Sequence, residues 1–388
     1  MNVYRRAHAK CWTLAAAWLL LISPLHALAA TPLHSSFDMQ VPVAPSLINV
    51  GGQPQWIYEV YVTNTSDSAM ELTRVQVLDG QGGAIADLHG TGLEKRLGGA
   101  GRTVEGAQRR TLAPGAHAVL YLEIEAGKHA STPALSHRLD YRIMRKQGPV
   151  EATVDGARTA VNTVPLPVLS PPLRGGPWIA IHEPSWTRGH RRMVYAVAGR
   201  AHIPGRYAID WVKLDTKGRI TAGDEDRPAD HYGYSEDVLA VADGVVVAAR
   251  DDMTESASIA AHPRHALADA TGNYVALEIG GGRYAFYEHL KPGSLRVKIG
   301  QRVRQGEVIG ALGFTGDSSG PHLHFHLADA NSPLDADGMP FVLAGFTALG
   351  AYPSLDILGK QPWQPLASSE KAHRRNERPA PNTVVQFP

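Results

Sequence analysis

The chain has 388 residues, of which 44% are hydrophobic and 19% charged, with a formal charge of +1 and one cysteine. That balance belongs to an ordinary globular protein with room for two or three separately cored domains. No dense run of lysine and arginine is present, so no nucleic-acid partner is expected.

Residues 1–29 read as a signal peptide. Arg5, Arg6 and Lys10 make a basic start, residues 12–22 form an apolar centre, and Ala27-Leu28-Ala29 offers a small-x-small cleavage pattern. The apolar run is shorter than the roughly 20 residues a membrane-crossing helix needs, so no stable membrane anchor is expected. The chain is expected to be exported to the periplasm or cell envelope, or secreted. Cys11 precedes the cut, which leaves the mature chain without a disulfide and dependent on burial for its stability.

From 30 to 163 the pattern predicts an antiparallel β-sandwich-like domain. WIYEVYVT (56–63), HAVLYLEIE (117–125) and LDYRI (139–143) alternate apolar and polar residues and are rich in β-formers. Gly51-Gly52, Asp79-Gly80 and Pro114-Gly115 supply turns between them. No catalytic constellation is visible here, and the segment reads as an accessory or positioning module. The proline-dense VPLPVLSPPLRGG (164–176) predicts an extended linker.

Strands with tight turns resume over 177–345. NYVALEIGGGRYAFYEHL predicts a hairpin with strands over 274–279 and 284–290, and VLAVADGVVVAA (238–249) holds an Asp-Gly turn. Residues 346–388 read as a C-terminal extension. It is partly disordered on its composition, since SSEKAHRRNERPAPN (368–382) is polar, charged and proline-bearing.

PHLHFHLADA (321–330) places histidines at 322, 324 and 326. On a strand, residues two apart share a face about 6.5 Å apart, so one imidazole can bind a metal while its neighbour reaches the metal's water. AHIPGRYAIDWV adds His202 and Asp210, and YEHL places His289 near a strand end, where a side chain can overhang a cleft. Two ligands of one zinc lie within roughly 4 Å of each other. The chain must therefore bend between His202 and Asp210, and Pro204-Gly205 is the bend signal.

Together, H…AID…AVADGVV…GNYVALEI…YEHL…G-x-x-G-x-x-G…GPHLHF resembles the lysostaphin/LytM-type zinc metallopeptidases, the M-twenty-three metallopeptidase family, over about residues 180–330. The resemblance implies an all-β chain whose second domain is a LytM-like antiparallel β-sheet with the site in a groove. It implies one zinc per chain held by His202, Asp210 and His324, with His289 and His322 as catalytic groups beside the zinc water. It also implies hydrolysis of the peptide cross-links of peptidoglycan by a zinc-activated water. The alternative is a LytM-like module that has no activity and regulates another murein hydrolase.

One departure concerns the first ligand. The family pattern has three residues between its first histidine and the aspartate, whereas this chain has seven between His202 and Asp210, and His190 and His231 are rivals. His326 falls where the family carries no ligand and is expected to support the site or the fold. Residues 251–271 lack a strand pattern and are expected to form a groove wall.

Overall fold

Alternating β-branched and aromatic residues produce an architecture built almost wholly from strands. The computed structural model describes residues 36–98, 106–183, 186, 189–367 and 372–388. The signal peptide expected over 1–29, with Cys11, lies outside the described residues. No helix among them is long and apolar enough to cross a membrane.

Two antiparallel sheets make the first half. One runs in the order Phe37–Gln40, Gln53–Asn64, His117–Glu125, Leu97–Gly98, and the other in the order Gly148–Ala160, Ala134–Arg145, Met70–Asp79, Ala84–His89. Their inner faces share one core. Trp56, Tyr58, Val60 and Val62 enter it from one sheet, and Leu72, Val75, Leu139 and Tyr141 from the other. The alternate residues Ile57, Glu59 and Tyr61 point out of the sandwich, yet Ile57 and Glu59 are also buried. The second half covers them.

That second half is built around one large antiparallel sheet. Its central strands are Tyr284–Leu290, Leu323–Ala328, Ile209–Lys213, Trp178–Ile181, Thr383–Gln386 and Phe346–Ala351, in that order. Asn273–Glu278 pairs antiparallel with Tyr284–Leu290, the hairpin predicted from the triple glycine. Ile48, Val50 and Ile57 of the sandwich join Trp178, Trp211, Tyr287 and Phe325 in a single core. An apolar junction of this kind leaves little freedom for the halves to move apart.

Two expectations are corrected by the packing. The proline-dense segment 164–176 is extended but not a free linker. Val168–Leu169 pairs in parallel with Val342–Leu343, and Leu169 and Leu173 are buried in the large core. The C-terminal extension is not a loose tail over its described residues: Arg378 is buried, and Thr383–Gln386 is an inner strand of the sheet. Composition misled because three apolar residues, Val384, Val385 and Phe387, suffice to dock a segment whose neighbours are polar.

Inside the sandwich, His137 accepts a hydrogen bond from the Tyr58 hydroxyl at Nε2 (2.8 Å) and donates from Nδ1 to the Ala157 carbonyl (3.2 Å). Burial pushes its pKa down from 6.5 to about 4. The unfolded chain therefore binds a proton that the folded chain refuses. Stability is full above about pH 6.5 and declines as the pH falls towards about 4, by roughly 3 kcal/mol at most. A pH series of thermal melts should show this slope, and His137→Gln should flatten it. An unchanged slope would assign the acid sensitivity to other groups.

Candidate metal centre

The register of three adjacent strands sets the site. Asp210 stands opposite His324 on one side, and Glu288 stands opposite His324 on the other. Cross-strand partners share a face, so these three side chains form a row across the sheet. Along Leu323–Ala328 the alternation sends Leu323, Phe325 and Leu327 into the large core and turns His324 and His326 the other way.

A regular strand would put Glu288 and His289 on opposite faces. His289 instead has φ of 61°, a left-handed conformation uncommon outside glycine, and it ends the alternation. Its ring centre lies 6.0 Å from that of His324 and 4.7 Å from that of His322. His289 Nδ1 donates to the Thr315 carbonyl (2.8 Å), which leaves Nε2 with a free lone pair. His322 Nδ1 lies 2.8 Å from the Gly320 carbonyl, and its Nε2 is 3.7 Å from Asp210 Oδ1.

The third imidazole at Asp210 is that of His190. Its Nε2 lies 2.8 Å from Asp210 Oδ2, while His324 Nδ1 lies 2.8 Å from Asp210 Oδ1. One donor atom from each of His190, Asp210 and His324 falls within 4.8 Å of the other two. Gly205 permits the approach, because a Cβ there would come 2.8 Å from His190 Cβ and 3.1 Å from the His190 carbonyl oxygen. The His190 side chain is 46% exposed against 7% for His324, so the cluster opens to solvent on the His190 side.

His202, expected as the first ligand, is engaged elsewhere. Its Nδ1 and Nε2 each lie 3.1 Å from a carboxylate, of Asp337 and Asp335 respectively, and it does not join the group formed by His190, Asp210 and His324. The bend read at Pro204-Gly205 exists as the turn Pro204–Tyr207, but its glycine faces His190. His231 is also apart, with Nε2 on the Glu225 carbonyl (2.9 Å).

Electrostatics suit a cation at this cluster. Burial alone would raise the Asp210 pKa, but the facing imidazoles of His190 and His322, with hydrogen bonds from His190 and His324, hold it well below the usual carboxylate range. Burial, then the charge on His190, pushes His324 down to about 4. Two imidazoles and a carboxylate are a donor set that zinc accepts. A zinc held by these three residues would keep a fourth position for water or substrate.

Behind His324 lies a second group that the sequence did not disclose. Glu288, His324 and His326 also place donor atoms within 4.8 Å of one another, and all three are buried. Burial pushes Glu288 up to about 8. His326 stacks on Phe286 at 4.9 Å between ring centres, with 5° between the planes, and lies 3.8 Å from Glu288. The only sequence signal was the acidic residue inside YEHL, which by itself is a common surface feature.

Residues 231–336 match Peptidase family M23. The chain carries an M23 domain. Its relatives include the peptidoglycan DD-endopeptidase ShyA of Vibrio cholerae serotype O1, 37% identical over 94 residues, which is 24% of this chain and 18% of that protein. Peptidoglycan DD-endopeptidase ShyB of the same organism is 42% identical over 65 residues, 17% of this chain and 15% of that protein. The match therefore spans less than a fifth of the length of either relative. The catalytic domain of the antimicrobial peptidase lysostaphin from Staphylococcus simulans aligns over 37% of this chain and 80% of its own, at 24% identity and a TM-score of 0.22. The M23 match contains His289, His322 and His324 but begins after His190 and Asp210. Those two residues join His324 through their geometry alone.

Proposed function

We propose that the chain is an exported zinc endopeptidase that cuts the peptide cross-links of peptidoglycan, with His190, Asp210 and His324 holding one zinc. The observation that carries this reading is the convergence of those three side chains beside the paired imidazoles of His289 and His322. Zinc at such a site supplies a Lewis acid and a water whose pKa falls from 15.7 to about 7.

The chain's own residues then have separable tasks. His289 is held neutral, since burial and then the neighbouring His322 and His324 push its pKa well below that of free imidazole. Its Nδ1 is fixed on the Thr315 carbonyl, so Nε2 can take a proton from the attacking water. His322 Nδ1 likewise donates to the Gly320 carbonyl, so its Nε2, 3.7 Å from Asp210, can donate to the developing oxyanion only after taking up a proton.

Cleaving a sugar linkage usually calls for two carboxyl groups about 5 to 10 Å apart flanking the bond. Here Asp210 is committed to His190 and His324, and Glu288 is buried beneath His324. Digestion of purified murein by the zinc-loaded protein, read by mass spectrometry, should yield unlinked or shortened peptides on intact glycan strands. New reducing sugar ends would overturn the reading, and no product despite bound zinc would favour the regulatory alternative.

A further inference from the structure

The turn His190–Arg192 has three residues and no side-chain cap, so its own backbone does little to fix His190. The two arginines that follow His190 anchor it in the sandwich. Arg191 Nε donates to Glu59 Oε1 (2.9 Å), and Arg191 Nη2 donates to the carbonyls of Tyr58 (2.8 Å) and Leu122 (3.0 Å). Arg192 donates to the carbonyls of Lys95 (2.6 Å) and Leu97 (3.3 Å), and its guanidinium stands 4.4 Å from the Tyr121 ring centre.

The other oxygen of Glu59 accepts a bond from Arg206 Nε at 2.6 Å. Arg206 belongs to the turn Pro204–Tyr207, whose Gly205 abuts His190. Both turns around His190 are thus tied to one sandwich carboxylate that is 1% exposed. Buried ion networks of this kind add little net stability, because desolvation offsets the attraction. What this one fixes is where His190 stands.

We infer that Glu59 is a positioning residue of the metal centre, holding His190 against Asp210 through Arg191 and Arg206. The inference rests on the metal reading above. It makes the sandwich a working part of the site, since metal affinity depends on a residue of the first half that touches no ligand. Groups that orient a metal ligand typically contribute 10- to 100-fold in metal affinity, and the same range is expected here.

The experiment is a zinc titration of the apo full chain against a chromophoric chelator, paired with the visible spectrum of the cobalt-substituted protein. Glu59→Gln should weaken zinc binding by roughly 10- to 100-fold and move the cobalt spectrum towards that of His190→Ala. Arg191→Lys, which keeps the charge but loses the forked geometry, should do the same and decides the matter if Glu59→Gln does not fold. Leu139→Ala, in the sandwich core away from these contacts, should lower the melting temperature while leaving zinc affinity unchanged. Wild-type affinity and spectrum in a folded Glu59→Gln or Arg191→Lys protein would overturn the inference and leave the metal reading standing. An equal loss of affinity in Leu139→Ala would reduce the effect to general destabilisation and overturn it too. A wild-type chain that binds no zinc would overturn both.

Discussion

Asp210→Ala is expected to abolish tight zinc binding and, with it, hydrolysis. Each Asp210 oxygen holds a different imidazole, His190 on Oδ2 and His324 on Oδ1, so removing the carboxylate loses one ligand and leaves two histidines without their shared partner. The loss in affinity should exceed the 10- to 100-fold that follows from deleting a merely supporting hydrogen bond. His324→Ala and His190→Ala should behave alike. His202→Ala is the informative contrast, because His202 faces Asp335 and Asp337 and does not join the cluster, and the variant should keep its zinc. Metal content after dialysis against a weak chelator measures all four. Zinc lost from His202→Ala but retained by His190→Ala would reverse the assignment of the first ligand.

The second large effect is on turnover without loss of metal. His289→Ala and His322→Ala remove imidazoles that stand beside the cluster, their ring centres 4.7 Å apart, while His190, Asp210 and His324 stay in place. If each handles a proton or steadies the oxyanion, either change should lower kcat by about two to four orders of magnitude with zinc content near one per chain. His289→Ala also relaxes nothing in the backbone, since alanine at φ of 61° is no easier than histidine, so a rate loss would report the missing imidazole. Steady-state cleavage of a soluble cross-linked muropeptide gives the rate, and metal analysis on the same samples gives the occupancy. Unimpaired turnover in both variants would sink the proton-handling roles without touching the metal site.

What the sequence disclosed divides along the reach of its signals. Alternation is local, so HAVLYLEIE and the triple-glycine hairpin marked their strands, and the His-x-His spacing pointed to 322 and 324, whose rings both neighbour that of His289. Asp210 was legible because AIDWV continues as a strand next to Leu323–Ala328. His190 was not, for a physical reason: its short turn has no periodicity, and its place comes from Arg191 reaching into strands that lie far away in the sequence. His202 was preferred because proximity and a bend are local cues, yet that bend serves a contact with a residue upstream of both. Glu288 was hidden for a related reason. Only the left-handed turn at His289 lets neighbouring residues 288 and 289 reach the same imidazole, and nothing in YEHL announces it.

The strand Thr383–Gln386 sits between Trp178–Ile181 and Phe346–Ala351, an inner strand of the sheet that carries the cluster. During synthesis the ribosome delivers this strand long after Trp178–Ile181 and some thirty residues after Phe346–Ala351, at the pace of roughly 5 to 20 residues per second. Until it emerges, Trp178–Ile181 has an open edge on the side away from Asp210's strand, with backbone groups free to pair with any passing chain. Long-range pairings of this kind are also slow to form. The sheet is thus closed by a segment made well after both of its neighbours, and a nascent chain stays open at that edge until residues 383–386 emerge.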